Sequence, residues 1–317
     1  MSIITITSCP VCGSSDIEKV FDSVDHFSSR EVFPICDCRE CGFRFTNNFP
    51  SEDVIGKYYD SPAYISHSDS DKGLTNRMYH LFRRLMLRRK VNLVKRHLKR
   101  DNAHLLDIGC GTGYFLNAAK EKGFTVSGIE KDEKAREKAI TRFKLDVKEE
   151  TGFFATDQTS FDVVTLWHVL EHLEKLNESI EKMVDILTPD GTMVIALPNH
   201  RSFDAKWYKE KWAAYDTPRH LWHLTPDTLE RLLAKHNLSV VKKYRMPLDA
   251  YYVALLSEQY LGSTVLIKYL RAFLIGTTGF LLSLFNLKQS SSVIYIVKKS
   301  IKLEKPYSLT SKRVTYK

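Results

Sequence analysis

Leu105-Leu106-Asp107-Ile108-Gly109-Cys110-Gly111-Thr112-Gly113-Tyr114-Phe115-Leu116 is the stretch from which the rest of the chain is read. It predicts a short buried strand that runs into a glycine-rich turn, with a helix opening near Tyr114. Glycines at alternate positions leave the turn free of side chains, so a ligand can approach the main-chain N–H groups. The free N–H groups and positive dipole end of the following helix face the same turn. A dinucleotide fingerprint requires G-x-G-x-x-G, but counting from Gly109 puts Tyr114 where its last glycine belongs. The pattern is D-x-G-x-G-x-G, and this spacing sets aside a nicotinamide enzyme.

Asp107 to Gly113 resembles the first motif of class I S-adenosylmethionine (SAM)-dependent methyltransferases. The resemblance implies an α/β fold, a doubly wound, seven-stranded, mostly parallel sheet. It also implies that Asp107, Gly109, Gly111 and Gly113 wrap the methionine part of SAM. A second strand is predicted over Thr125–Ile129, ending at Glu130, 23 residues beyond Asp107. That is the distance spanned by one βαβ unit, and an acidic side chain there accepts from both ribose hydroxyls of an adenosine. A third strand is read over Leu145–Lys148.

Phe161–Trp167 reads as the fourth strand, almost wholly apolar as parallel central strands are. The following His168-Val169-Leu170-Glu171-His172-Leu173 is similar to the family's segment after that strand. Ligands bind outside the carboxyl ends of such strands, so Trp167 and His168 are expected beside the methionine moiety. His172, Glu171 and His220 are the candidates for a general base. The bland alternatives are a helix cap for Glu171 and a packing histidine for His172.

Cys9-Pro10-Val11-Cys12-Gly13 and Cys38-Arg39-Glu40-Cys41-Gly42 are two C-x-x-C turns, each followed by glycine. Cys9, Cys12, Cys38 and Cys41 supply four thiolates for one tetrahedral ion. Zinc is the metal favoured, and four cysteines close the site, which makes it structural. The alternative is unpaired cysteines in a small core; Cys36 reads as a spare. The ribbon also resembles the N-terminal module of a subset of SAM methyltransferases. The alternation of Gly42–Pro50 predicts a strand leaving the metal site. Residues 51–73 read as a polar connector whose Tyr58, Tyr59 and Tyr64 reach toward the active-site mouth.

The 317 residues carry a net charge of +9, with 43% apolar and 27% charged, ordinary for a soluble globular protein. Between Leu74 and His104 lie ten lysines and arginines against Asp101 alone. The apolar spacing predicts an amphipathic helix over Leu74–Leu98. Charge of this sign suits nucleic acid, an anionic membrane or an anionic substrate without choosing among them, and a solvated face is the reading favoured. The N-terminus passes from Met1 to a cysteine pair without an apolar leader, so a cytoplasmic protein is expected.

Phe203 to His223 is dense in aromatic and charged residues and reads as a cap over the substrate side. Trp212, Tyr215, Asp216, Arg219 and His223 are its predicted substrate contacts, although Arg219 can simply pair with Asp216. Amine methyltransferases of nucleic acid carry an Asn/Asp-Pro-Pro-aromatic run after the fourth strand. Here Leu197-Pro198-Asn199-His200 comes a strand too late and lacks the aromatic, so base N-methylation is disfavoured. Thr192–Leu197, Leu238–Tyr244 and Ser292–Lys298 are the remaining strands, and Thr225 with Pro226 starts a helix. Asp249–Leu287 is a helical insertion before the last strand. Its uncharged run Ala272–Leu287 has sixteen residues, short of the roughly 20 that span a bilayer. It reads as a membrane-surface dock, a lid, a dimer contact or buried packing.

The organisation expected is a zinc ribbon at 1–50, a connector at 51–73 and a SAM-dependent methyltransferase domain at 74–300. That domain holds the aromatic cap 201–223 and the helical insertion 249–287, and a basic, disordered tail follows at 301–317. The reaction expected is methyl transfer from SAM to a small-molecule, sugar or lipid-linked acceptor at oxygen or carbon, giving S-adenosylhomocysteine. Peripheral contact with the inner face of a membrane through 249–287 is a hypothesis, and nucleic acid is disfavoured as a partner. An RNA-modifying methyltransferase and a non-catalytic SAM-fold scaffold remain the rival readings.

Overall fold

The apolar run Phe161–Trp167 is buried at every position but the last and forms the centre of a seven-stranded sheet. In this computed structural model, residues 3–59, 74–98, 100–156, 161–246 and 248–300 are described. The strands lie in the order Leu238–Arg245, Ser292–Lys299, Leu187–Pro198, Phe161–Trp167, His104–Ile108, Thr125–Ile129 and Asp146–Lys148. The last five are parallel, whereas Ser292–Lys299 is antiparallel to both its neighbours. This is the doubly wound, mostly parallel sheet that the sequence predicts. Chain order reverses between Phe161–Trp167 and His104–Ile108, which makes a crevice at their carboxyl ends.

Local chemistry sets the helix starts. The Asp132 carboxylate accepts from the Ala135 N–H at 2.6 Å and opens Glu133–Phe143. Thr225 and Thr228 cap each other reciprocally ahead of Pro226–Lys235. Leu187–Gly191, whose Pro189 and Gly191 suit a turn, is absorbed as an irregularity within one long strand, the register with Phe161–Trp167 shifting between Leu187 and Thr192.

Three strands near the N-terminus, Ile17–Val24, Val32–Cys38 and Arg44–Thr46, make an antiparallel sheet. Its fourth strand is Trp222–His223 from the cap, with Trp222 opposite Phe45. The alternation over Gly42–Pro50 does not give one strand. Asn48 takes φ of +50°, and Phe49–Pro50 turns away to pair with Ile3–Ile4. Phe43 stacks between Phe45 and Trp222 at centroid distances of 6.0 and 6.1 Å. These rings pack in one apolar cluster with Leu170 and Leu221 beside the main sheet, so the N-terminal module and the cap share a sheet and a core.

The insertion forms two helices, Asp249–Tyr260 and Val265–Phe285. The second has 21 residues, because it extends upstream of Ala272 through Lys268 and Arg271. It is long and apolar enough to cross a membrane by length and composition, which corrects the expectation drawn from the uncharged run alone. The basic helix covers Leu74–Arg96, with Arg84, Arg88, Arg89, Lys95 and Arg96 exposed, as a solvated face requires. Tyr64, Lys99, the side chains of residues 74–82 and the tail 301–317 lie outside the described residues.

Candidate active site

A cleft of about 1180 Å³ opens at the carboxyl ends of the parallel strands, lined by Gly109, Gly111, Glu130, Trp167, His168 and His172 among others. Gly109, Gly111 and Gly113 take φ of +68°, +54° and +79°, where glycine alone is unstrained. A Cβ on Gly109 would lie 2.5 Å from Val169 Cγ2, and one on Gly113 2.7 Å from Leu145 Cδ1. A Cβ on Gly111 would meet nothing within 4 Å. Two glycines therefore permit close packing, and the third leaves the backbone open to the cleft.

The Gly111 N–H donates to Glu130 Oε2 at 2.6 Å, and the Asp132 N–H to Glu130 Oε1 at 2.9 Å. These bonds hold the carboxylate at the cleft wall; burial raises its pKa while they oppose the rise. Asp107 does not line the cleft among the described residues. It is buried just behind the turn, where its Oδ1 accepts from Thr165 Oγ1 at 2.5 Å. Burial raises the Asp107 pKa to about 7, against the Thr165 bond and the Lys90 charge. Lys90 reaches in from the basic helix, its Nζ 4.3 Å from the Trp167 ring centroid.

His168 has φ of +59°. Its Nε2 lies 3.1 Å from Asp249 Oδ2 and its Nδ1 3.5 Å from Glu171 Oε1. Burial disfavours the imidazolium, but the two carboxylates outweigh it and lift the pKa to about 9, so His168 is a cation at neutral pH. Beyond that contact neither oxygen of buried Glu171 has a hydrogen-bond partner among the described residues. Burial opposes ionisation of Glu171, yet the contact with His168 holds its pKa below the usual value.

His172 Nδ1 bonds the Arg219 carbonyl at 2.9 Å, with Tyr59 Oη 3.1 Å away. Only an N–H can bond a carbonyl oxygen, which leaves the lone pair on Nε2. Burial, then the charge of His220, pushes the His172 pKa down to about 4, so the ring is neutral. The His220 ring stands edge-on to it with centroids 4.5 Å apart. His220 Nδ1 bonds the Ala214 carbonyl at 2.8 Å, and its Nε2 lies 3.9 Å from Asp216 Oδ2. One ligand atom each from Glu171, His172 and His220 lies within 4.8 Å of the others. Two imidazoles and a carboxylate at this spacing can share a proton or hold a divalent cation. Of the three, only His172 lines the cleft among the described residues.

The cap residues are placed differently from expectation. Trp212 Nε1 donates to Asp204 at 2.7 Å, Tyr215 Oη accepts from Arg44 at 2.8 Å, and His223 Nε2 lies 3.0 Å from Thr46 Oγ1. All three side chains are buried, and none lines the cleft among the described residues. Arg219 does line it, but its guanidinium is only 1% exposed. It donates to Asp25 at 3.0 Å, to Asp216 at 2.6 Å and to the Tyr58 carbonyl at 2.8 Å. The aromatic density of the cap cements it to the N-terminal module.

In that module the Cys9 and Cys41 sulfurs are 3.5 Å apart, as are those of Cys12 and Cys38, and all four converge within 4.8 Å. Four sulfurs around one Zn²⁺ at ~2.3 Å stand ~3.8 Å from one another, so the cluster fits structural zinc. Gly13 and Gly42, at φ of +80° and +70°, donate back to the Cys9 and Cys38 carbonyls at 2.8 Å and close the two turns. Cys36 sits apart, buried on Val32–Cys38.

Sequence reasoning missed Thr165, Lys90 and Asp249. Thr165 carried a signal, a lone hydroxyl in the apolar run Phe161–Trp167, facing Asp107 in register. Asp249 carried none, because only the path of the insertion returns it to His168.

The sheet order, the glycine turn open at Gly111 and the acidic strand end at Glu130 define a site that fits S-adenosylmethionine. The chain belongs to the methyltransferase domain family, which matches residues 78–243. It is similar to the ubiquinone biosynthesis O-methyltransferase of Chelativorans sp., 29% identical over 150 residues, 44% of this chain and 59% of that protein. It is also similar to that of Bartonella tribocorum, 28% identical over 155 residues, 44% of this chain and 62% of that protein. The chain thus spans about three fifths of the length of these curated relatives. Among solved structures it is similar to the magnesium protoporphyrin IX methyltransferase of Synechocystis with bound S-adenosylhomocysteine. That likeness has 12% identity and a TM-score of 0.52, covering 79% of this chain and 100% of that one, and it speaks for the fold.

Proposed function

We propose that this protein transfers a methyl group from SAM to a small-molecule or lipid-linked acceptor, at oxygen or carbon, and releases S-adenosylhomocysteine. The observation that carries the reading is the neutral His172 imidazole, which lines the cleft with its Nε2 lone pair free. Gly109, Gly111, Glu130, Trp167 and His168 line the wall that takes the cofactor, backed by the buried Asp107 and the tightly packed Gly113, with the Glu130 carboxylate turned to the ribose hydroxyls. When bound, SAM supplies an electrophilic methyl on a sulfonium. The protein's part is to align the acceptor and remove its proton. His172 Nε2 takes that proton, while the Arg219 carbonyl keeps the ring oriented through Nδ1. Glu171 and His220 stand behind it, and the carboxylate stabilises the imidazolium that forms.

The relatives' names, ubiquinone biosynthesis O-methyltransferase, favour a hydroxylated, lipophilic acceptor. We place the reaction in the cytoplasm, at the inner face of a membrane that residues 249–287 contact peripherally. Cell extract incubated with the protein and isotopically labelled SAM, followed by mass spectrometry, tests the activity. A labelled small molecule that appears with the wild type and not with His172→Ala supports it, and absence of SAM binding in calorimetry sinks it.

A further inference from the structure

The helix Val265–Phe285 is packed inside out. Its protein-facing side consists of Ala272, Ile275, Gly276, Gly279 and Ser283, small residues apart from Ile275. A Cβ on Gly276 would come within 2.6 Å of the Tyr251 ring, so the bare backbone of Gly276 packs directly on that ring of the first helix. The outward side carries Leu266, Tyr269, Leu270, Phe273, Leu274 and Leu281, each at least half exposed and Leu266 80% exposed. A surface helix in water does the opposite, turning its large apolar residues to the core. Small residues at the helix contact and large ones outside suit a hydrocarbon surrounding.

Charge selects the partner. Lys268 and Arg271 are the only charged residues on this helix, and it has no acid, in a chain of net charge +9. Arg271 pairs with Glu258 in the protein body, so Lys268 is the cation that borders the apolar face and complements an anionic lipid surface. The helix is long enough to span, but its anchoring forbids it. Arg271 Nε lies 3.3 Å from Glu258, which is fully buried and accepts from Tyr208 Oη at 3.0 Å. A helix tied to the protein body part-way along its length lies in the interface rather than crossing it.

The insertion also reaches the cleft. Asp249 is the first residue of its first helix and lies 3.1 Å from His168 Nε2, beside the proposed cofactor wall. We propose that residues 249–285 form a monotopic hairpin that seats in an anionic bilayer, and that Asp249 transmits this seating to His168 and so to cofactor binding. The docking stands on the hairpin alone; the coupling rests on the SAM reading.

Flotation of the full chain with phosphatidylglycerol-containing vesicles and with pure phosphatidylcholine vesicles tests the docking. The wild type is expected to float with the anionic vesicles, and Leu266→Ser/Leu270→Ser and Lys268→Glu to lose about tenfold in binding at unchanged melting temperature. Wild-type protein that stays at the bottom, or floats equally on both lipids, overturns the docking. So does a sedimentation result in which the same variants split a dimer, because a second copy then covers the face. For the coupling, SAM affinity by calorimetry is expected to change on adding anionic vesicles to wild type and not to Asp249→Asn. An affinity indifferent to vesicles in the wild type overturns the coupling. Failure to bind SAM both with and without vesicles would defeat the methyltransferase reading, whereas flotation would be unaffected.

Discussion

Arg219 Nη2 donates to Asp25 Oδ1 at 3.0 Å, joining the loop that carries His220 to the N-terminal module. Both side chains are essentially without solvent exposure, and Asp216 takes up the guanidinium at 2.6 Å from the other side. The same residue's carbonyl holds His172 Nδ1. The proposed base is thus oriented by a residue whose own position depends on a module far away in sequence.

Asp216 still pairs the guanidinium when Asp25 is removed, so the loss is that of a buried charge-assisted hydrogen bond, about 1.5–3 kcal/mol. Asp25→Ala is expected to lose that much stability in urea unfolding. Arg219→Lys is expected to recover little, because one ammonium cannot reach both carboxylates and the Tyr58 carbonyl in the fork geometry. An unchanged unfolding midpoint in Asp25→Ala would refute the structural role.

His172→Ala is expected to lower turnover by about 10²–10⁴-fold, the usual contribution of a general base, with little change in SAM affinity. Steady-state kinetics alongside calorimetry separate the two. A parallel loss of SAM binding would mean that His172 holds the cofactor wall instead.

The glycines of the turn should respond differently. Gly109→Ala drives a methyl into Val169, 2.5 Å away, so both melting temperature and SAM affinity should fall. Gly111→Ala meets nothing within 4 Å and should cost only about 1 kcal/mol of backbone strain at positive φ. Its SAM affinity should nevertheless drop, because the added methyl is unopposed at the open backbone.

Stability should fall on both sides of neutrality. His168 has a folded pKa of about 9, above the ~6.5 of an unfolded histidine. Its stabilisation is complete below pH ~6.5 and lost as pH rises through the folded value. His172, at about 4 in the fold, works in the reverse sense. Its contribution is present above pH ~6.5 and lost as pH falls through the folded value. Unfolding midpoints across pH should show His168→Asn flattening the alkaline limb and His172→Asn the acid limb.

Chelation of the metal should loosen more than the cysteine turns. Trp222 stacks on Phe43 at 6.1 Å, and Phe43 follows the second turn directly, so metal loss should reach the cap. Trp222 fluorescence should shift to the red on chelation and recover with zinc, and Trp222→Phe should remove most of the signal. Metal analysis of the purified protein fixes the starting stoichiometry.

Much of this was legible because it is local. Phe161–Trp167 is an unbroken apolar run and Thr125–Ile129 ends on a charge, so the strand limits follow from the residues themselves. The cysteine pairs carry their geometry in the two-residue gap. The cap was not legible in the same way. Trp212, Tyr215 and His223 offer the same surface to a substrate as to a neighbouring strand, and composition cannot tell which is present. Tyr215 and His223 are held by Arg44 and Thr46, which arrive from the N-terminal module, and Trp212 by Asp204. The insertion was only partly legible, because counting uncharged residues stops at Arg271 whereas a helix continues through it.

The sequence by itself determined the glycine turn, the positions of the central strands along the chain, the acidic strand end at Glu130 and the four-cysteine cluster. Each rests on spacing within a single unit of secondary structure, where backbone geometry leaves few choices. Only the tertiary structure decided that Trp212, Tyr215 and His223 are buried rather than lining the cleft, and that Asp249 returns to His168. It also decided that the helix Val265–Phe285 turns its large side chains outward. Those outcomes depend on which distant surfaces exclude water together, and no local pattern encodes the partner.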